Sequence, residues 1–175
     1  MKPGKGACPT SMSSEAGIRI VEYEAKYQQA FKRLNEEWIT RWFKMEEADY
    51  KLLDSPQESI VNMGGHILIA LCDDEPVGTC ALIKLNEATY ELAKMSVSAQ
   101  FRRRGIGFRL GQACITNARS IGASLLHLET HSSLHPAIAL YRKLGFQEVK
   151  GATLSFVRCD LQMELALKCS DELNP

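Results

Sequence analysis

The stretch Arg102-Arg103-Arg104-Gly105-Ile106-Gly107 decides the fold, because it joins a predicted strand to a predicted helix. Apolar residues recur at helical spacing after it, at Ile106, Leu110, Ala113, Cys114, Ala118 and Ile121. Glycines let the backbone approach a ligand, and a helix N-terminus carries about half a positive charge. The loop therefore predicts a pyrophosphate site, in which the arginines bind phosphate oxygens.

Two other phosphate-binding motifs do not fit this loop. The pattern G-x-x-x-x-G-K-[ST] is missing here, and the dinucleotide fingerprint needs a third glycine where this chain has Leu110. An arginine run is also the ordinary composition of a solvated surface, so the loop alone does not decide the function.

The pattern around the loop predicts a mixed α/β fold. Three adjacent runs form an antiparallel meander, and a helix crossover then adds a parallel strand. The predicted strands are 18–21, 66–72, 77–85, 89–97, 124–130, 146–149 and 155–165. The predicted helices are 27–42, with Trp38 and Trp42 favoured as core, a short one between Ser55 and Gly65, 106–121 and 136–144.

Length and composition indicate one domain. The chain has 175 residues with a formal net charge of zero, 45% hydrophobic and 24% charged, which disfavours disorder and general polyanion binding. Residues 22–91 carry 14 acidic and 7 basic side chains, whereas 94–128 carry six basic and no acidic ones. This asymmetry indicates an anionic ligand on the second segment.

The two ends of the chain, its apolar runs and its cysteines bear on domain limits and cellular location. Residues 1–16 are expected to be a flexible leader, 17–167 the folded domain and 168–175 a tail. With no long apolar run and no signal peptide, we expect a cytoplasmic protein without membrane contact. The six cysteines are irregularly spaced and are expected to be reduced and mostly buried, with no metal site.

Two motifs about 35 residues apart carry a family resemblance. Arg102, Gly105 and Gly107 match the signature [Q/R]-x-x-G-x-[G/A], and a later helix has Ile138, Leu140, Tyr141, Gly145 and Phe146 in a second register. Across residues 17–167 the chain resembles the GNAT superfamily of N-acetyltransferases. The resemblance implies a twisted sheet of six or seven strands, about four helices, and a gap between strands 89–97 and 124–130.

The resemblance also implies site roles. The loop Arg102, Arg103, Arg104, Gly105, Ile106 and Gly107 would hold the pyrophosphate of acetyl-CoA. Backbone groups of Met95 and Val97 would pair with the pantetheine arm in the gap, and the Val97 N–H would polarise the thioester carbonyl. The family often has an Asn after the next strand, but Thr130–Leu134 contains none.

Two side chains are candidates for proton transfer. Tyr141 is either a packing residue or, by family position, the acid that protonates the leaving thiolate. Glu91 is either a surface charge or the base that deprotonates the amine, and strand alternation places it on the face of Ala93, Met95 and Val97. His131 and His135 are expected to be loop residues, with His131 near the substrate.

The predicted activity is acetyl transfer to a primary amine by direct attack in a ternary complex. A non-catalytic acyl-CoA sensor is the alternative, since it would keep the loop without needing Tyr141 and Glu91. Nucleic-acid binding ranks last, because the sequence pI is near 6.9. The acceptor is a small-molecule or peptide amine, and a monomer or homodimer is expected.

Overall fold

Seven strands form one mixed sheet in the computed structural model, which describes residues 17–150 and 154–167. The strands are β1 Ile18–Glu22, β2 His66–Cys72, β3 Glu75–Lys84, β4 Thr89–Val97, β5 Leu125–Thr130, β6 Gln147–Val149 and β7 Leu161–Ala166. The α-helices are α1 Gln28–Trp42, α2 Glu47–Asp54, α3 Ile106–Ser120 and α4 His135–Leu144. The leader and tail predicted from the sequence lie outside the described residues.

The sheet order is β1-β2-β3-β4-β5-β7-β6, and only the β4–β5 pair is parallel. Helix α3 makes the crossover between these two strands, as the sequence predicts. The mixed α/β class and the seven strands are thereby confirmed.

Each face of the sheet has its own apolar core. On one face, α1 and α2 bury Phe31, Ile39 and Leu53 against Ile67, Ile69 and Ala81. On the other, α3 buries Ile106, Leu110 and Cys114 against a larger cluster that includes Leu82, Leu126 and Met163. We refer to these as the α1/α2 face and the α3 face.

The central strands diverge. Strands β4 and β5 pair only at Thr89–Leu125, Tyr90–Leu126 and Glu91–His127. Beyond Glu91, β4 continues to Val97 and β5 to Thr130 without pairing to each other. The expected gap is confirmed, and because the strands are parallel it opens toward their carboxyl ends, where the 102–107 loop follows β4.

A bulge interrupts β4. The register with β3 passes from Ala81–Ala93 to Thr79–Ser96, so two residues of β4, Lys94 and Met95, oppose Cys80. Lys94 has φ of 50°, in the left-handed region that non-glycine residues seldom adopt. The extra residue reverses the in–out alternation of every position that follows it.

Several sequence expectations were wrong in detail. Helix α2 was not predicted, because its segment is mostly polar, and the predicted helix after Ser55 is a five-residue π turn at Gln57–Val61. Trp42, predicted as core, is 60% exposed at the end of α1. The last strand begins at Leu161 rather than Ser155.

Four cysteines lie within the described residues, and all are free thiols. Cys72, Cys80 and Cys114 are buried and Cys159 is half-buried, as expected. No described helix is long and apolar enough to cross a bilayer.

Candidate active site

The loop before α3 has the geometry of an anion site. Gly105 is the N-cap of α3 with φ of 74°, and nothing lies within 4 Å of where a Cβ would be. The first turn of α3 has no acidic residue and no side chain caps it, so its first N–H groups have no side-chain acceptor.

The three arginines of the loop are exposed but differ in their contacts. Arg102 donates from Nε to the Val97 carbonyl oxygen at 3.2 Å, which ties the loop to the end of β4. Arg104 stacks on Phe101, its guanidinium carbon 5.0 Å from the ring centroid. Arg103 has φ of 65°. All three guanidinium groups are accessible to a phosphate.

Gly107 lies where α3 packs against α4. A Cβ there would lie 3.3 Å from Leu140 Cδ2 and 3.9 Å from Val97 Cγ2. The missing side chain therefore permits close packing of the two helices. A few residues on, Gly111 has the same role, since a Cβ there would lie 2.4 Å from Leu144 Cδ1.

The backbone of β4 beyond the bulge directs toward the gap groups that are not paired with another strand. The Ser98 N–H donates to the Val77 carbonyl on β3 at 2.8 Å. Since alternate residues of a strand direct their backbone groups to alternate sides, those of Met95 and Val97 are directed away from β3. They lie along the stretch where β5 has left the sheet.

Glu91 is not on the face that simple alternation predicted. It pairs with Ile83 on β3, whose side chain packs in the α1/α2 core, whereas Met95 and Val97 pack against the α3 core. The bulge at Lys94 causes this reversal. Glu91 lies in the last β4–β5 pair before the gap, 8% exposed, and burial raises the pKa of its carboxyl, as does nearby Glu129.

Tyr141 lies on the opposite, α3 face. It is half-buried on α4, packs against the larger core, and makes an edge contact with Phe146 at 6.2 Å between ring centroids. Burial raises the pKa of its phenol above the ordinary value, with smaller contributions from Cys80 and Cys159. The phenol is therefore fully protonated at neutral pH.

Sequence reasoning missed a buried cluster of charges on the α1/α2 face. Asp49 of α2 is fully buried; Oδ1 accepts from Lys94 Nζ at 2.6 Å, and both oxygens accept from Arg158 at 2.6 and 2.8 Å. Arg158 also donates to Glu46 at 3.2 Å, and the Phe156 ring lies 4.5 Å from Lys94 Nζ. The cluster joins α2, the bulge and the segment before β7.

Two further residues on β5 line the same face. The side chain of Glu129 is 3% exposed and accepts from the Ser155 N–H with both oxygens at 2.9 Å. Burial alone would raise the pKa of Glu129, but His127 and Ser155 lower it. His127 lies between Glu129 and Glu164. The strand alternation of 125–130 was the one available signal for these residues.

Of the two histidines predicted to be loop residues, His131 is one and His135 is not, since it begins α4. His131 follows β5, with its ring 5.4 Å from Phe43 and Nδ1 2.7 Å from Ser133 Oγ; His135 is exposed at the start of α4. Among residues 17–150 and 154–167, no group of three or more His, Cys, Asp or Glu is placed to hold a metal ion.

A splayed mixed sheet, with a glycine-capped helix N-terminus at the open end of the gap, defines the class of acyl-CoA-dependent transferase folds. The model of the Acetyltransferase (GNAT) family matches residues 27–146. The chain belongs to this family.

Individual relatives agree with this assignment. The chain is 37% identical over 90 residues to the [ribosomal protein bS18]-alanine N-acetyltransferase of Salmonella typhimurium, a match covering 50% of this chain and 60% of that one. Matches to curated relatives span between 36% and 60% of those proteins.

Solved structures share the fold. A GNAT-family acetyltransferase from Staphylococcus aureus superposes with a TM-score of 0.80 at 23% identity, covering 87% of this chain and 100% of that one. An acetyltransferase from Salmonella typhimurium, solved with its cofactor acetyl-CoA, gives a TM-score of 0.71 at 18% identity, covering 86% and 94%.

Proposed function

We propose that this protein transfers the acetyl group of acetyl-CoA to a primary amine by direct attack within a ternary complex. The observation that carries the proposal is the gap between β4 and β5, with the N-terminus of α3 at its end and Tyr141 and Glu91 on opposite faces of the sheet. The family assignment and the neighbour solved with acetyl-CoA support it.

The loop and β4 would hold this substrate. The N–H groups at the start of α3 and the exposed guanidinium groups of Arg102, Arg103 and Arg104 suit a pyrophosphate, while the backbone of Ile106 and Gly107 continues the helix N-terminus. The backbone groups of Met95 and Val97 suit an extended amide-containing arm, as an added strand would. When bound, acetyl-CoA supplies an activated acyl group.

The Val97 N–H is the proposed donor to the thioester carbonyl. The carbonyl of the next peptide unit, that of Val97, accepts from Arg102 Nε at 3.2 Å, which holds the chain at the end of β4. A preorganised N–H in a site closed to water stabilises negative charge on the carbonyl oxygen as it develops.

Tyr141 is the proposed acid. Its phenol is protonated at neutral pH, and its side chain packs against the same core cluster as Met95 and Val97. Proton donation by a positioned side chain contributes about 10²–10⁴-fold to a rate.

Glu91 is the proposed base. An alkylamine of pKa ~10 is almost wholly protonated at pH 7, so its proton must be removed before attack. Glu91 lies at the apex of the gap on the α1/α2 face, and Glu129 lies on the same face beside it. With the acid and the base on opposite faces, the amine and the thioester approach the gap from opposite sides.

Direct transfer agrees with the state of the nearby cysteine. Burial raises the pKa of the Cys159 thiol to about 12, as does the charge of Glu129. A thiol in that state is a poor nucleophile at neutral pH, which disfavours an acyl-enzyme.

The acceptor is a primary amine, and the α-amine of a polypeptide is the first class to test, because the relative from Salmonella typhimurium is named for an alanine of a ribosomal protein. The excess of acidic residues within 22–91 also suits a cationic acceptor. We place the reaction in the cytoplasm, with no nucleic acid or membrane as partner and a monomer or homodimer as the active form.

Calorimetry with acetyl-CoA, followed by thiol release against a panel of amines, tests the proposal. We expect binding, and turnover with at least one peptide or small-molecule amine. Binding without turnover against any amine would instead favour the acyl-CoA sensor. Lack of binding at millimolar acetyl-CoA would overturn both.

A further inference from the structure

A row of ionisable side chains crosses the sheet beside the gap. Glu91 on β4 pairs with His127 on β5, His127 pairs with Glu164 on β7, and Glu164 pairs with exposed Gln147 on β6. Residues in register on adjacent strands point to the same face. The row therefore runs from the buried apex of the gap toward solvent.

Exposure rises steadily along this row. Glu91 is 8% exposed, and the side chains of His127 and Glu164 are 13% and 35% exposed. The row thus begins at the buried carboxylate of the proposed base and ends at a partly exposed carboxylate.

The two ring nitrogens of His127 face different carboxylates. Nε2 lies 3.9 Å from Glu129 Oε1, toward the gap, and Nδ1 lies 3.5 Å from Glu164 Oε1, toward solvent. Imidazole can accept a proton on one nitrogen while releasing one from the other. A small side-chain rotation or one bridging water brings both distances into the range for proton transfer.

The charges around His127 suit a role in proton transfer. Glu129 raises the pKa of its imidazole most, and Glu91 and Glu164 also raise it, while burial acts in the opposite sense. The other nearby cations, Lys94 and Arg158, are held by Asp49. Among the described residues of this face, His127 is therefore the titratable cation that Asp49 does not hold.

We propose that the row Glu91–His127–Glu164 is the path by which the proton taken from the acceptor amine leaves the site. The inference rests on the proposed function and names a route within it. An ammonium acceptor loses two protons in becoming an amide; one leaves on the thiol of CoA and the other must reach solvent.

The second proton is the one that the row carries. It passes from the amine to the Glu91 carboxylate and then, by way of the Glu129 carboxylate, to Nε2 of His127, which lies 3.9 Å from Glu129 Oε1. Nδ1 releases a proton to Glu164, and Glu164 releases it to water. No oxidant or further reactant is needed. The relay leaves the imidazole proton of His127 on Nε2, and rotation of the ring or proton exchange with water restores the starting tautomer before the next turnover.

The test compares His127→Gln and Glu164→Gln with His66→Gln in the full chain. Gln cannot titrate, and His66 is a matched control because it also lies beside a glutamate, Glu22, at 3.9 Å, but on β2. We expect kcat of His127→Gln to fall about tenfold or more in dilute buffer without imidazole, with acetyl-CoA affinity unchanged. Glu164→Gln should show a smaller loss, and His66→Gln none.

Two readouts separate a proton path from a structural role. Added imidazole should restore kcat of His127→Gln as its concentration rises, and should not affect the wild type. The acid limb of the pH–rate profile should move to higher pH in His127→Gln, because Glu91 and Glu129 lose a neighbouring positive charge. Loss of kcat with neither effect would overturn the proposal.

A third readout does not depend on turnover. The imidazole of His127, followed by NMR, should titrate at lower pH in Glu164→Gln than in the wild type, and an unchanged midpoint would overturn the proposed row. If the wild type acetylates amines while the kinetics of His127→Gln match it, only the row is wrong. If the wild type acetylates no amine, the proposed function fails and the row with it.

Discussion

Substitution of Tyr141 is the most direct test of whether this residue is the catalytic acid. Tyr141→Phe keeps the ring that packs against Phe146 and removes only the hydroxyl. We expect kcat to fall by about 10²–10⁴-fold, with little change in acetyl-CoA affinity or in the melting temperature. Steady-state kinetics and calorimetry measure these quantities, and full kcat with chemistry rate-limiting would make Tyr141 a packing residue.

The pH dependence of kcat/KM distinguishes Glu91 from Glu129 as the catalytic base. A base acts only when ionised, and burial raises the pKa of Glu91, so kcat/KM should fall as the pH drops through that raised value. Glu91→Gln should lose most activity at low pH and recover as the pH approaches the amine pKa of ~10.

The control for this experiment is Glu129→Gln, measured over the same pH range. The pKa of Glu129 is lowered, so its carboxylate stays ionised where Glu91 titrates. If Glu91→Gln keeps the wild-type profile and Glu129→Gln loses it, then Glu129 is the base.

The sequence predicts residues whose role follows from local spacing. Gly105 and Tyr141 were identified from motifs within one loop and one helix. The face of Glu91 could not be identified, because a left-handed lysine in mid-strand has no sequence signal of the kind that glycine gives. Arg158 could not be identified as the partner of Asp49 either, because 109 residues separate the two in the sequence.

Among the elements, the N-terminus of α3 gives a matched pair of variants. Asn and Asp both tolerate the left-handed conformation of Gly105 and have the same shape. At 4 Å from a phosphate, the added charge of Asp costs between about 1 and 4 kcal/mol. We therefore expect Gly105→Asp to bind acetyl-CoA at least ~5-fold more weakly than Gly105→Asn by calorimetry. Equal affinities would place the phosphates elsewhere.

Helix α2 is held by Asp49. Asp49→Asn leaves Lys94, 4% exposed, without a carboxylate, and loss of one partner from a buried ion pair costs about 3–5 kcal/mol. Urea unfolding measures the change. Asp54→Asn, on the same helix and paired with Lys32 at the surface, should cost less than about 1 kcal/mol. A similar loss in both variants would contradict a special role for the buried pair.

The Asp49 carboxylate makes the free energy of unfolding depend on pH. Burial alone would raise the pKa of Asp49, but hydrogen bonds from Arg158 and Lys94 lower it overall. Its contribution is therefore complete above the pKa of an unfolded aspartate and is lost as the pH falls through the lower folded value.

Element prediction succeeded where apolar spacing is regular. Helices α1, α3 and α4 and all seven strands were located from periodicity, with shifts at their ends. Helix α2 was missed because it buries only Asp49 and Leu53, so its segment has too few apolar positions to show a period. Its capping box is formed by Glu46 and Asp49.

At the scale of the whole molecule, the gap divides the sheet into two parts joined by three residue pairs. Bound acetyl-CoA should satisfy backbone groups of β4 that β5 leaves free. Hydrogen exchange of the Met95 and Val97 amides should therefore slow more on binding than that of Ile69, which is paired on both sides within β2. An equal change at all three would show that the ligand does not lie along β4.

The bulge at Lys94 has a consequence for how this chain tolerates change. A substitution there alters one side chain, but deletion of that single residue would reverse which face of the sheet each later residue of β4 occupies. Met95 and Val97 would turn toward α1, and Ser96, whose hydroxyl now donates to the Leu34 carbonyl at 2.6 Å, would turn toward α3. The length of β4 is thus constrained more tightly than its composition, and any recombination or design on this scaffold must conserve the count of residues between Glu91 and Gly105.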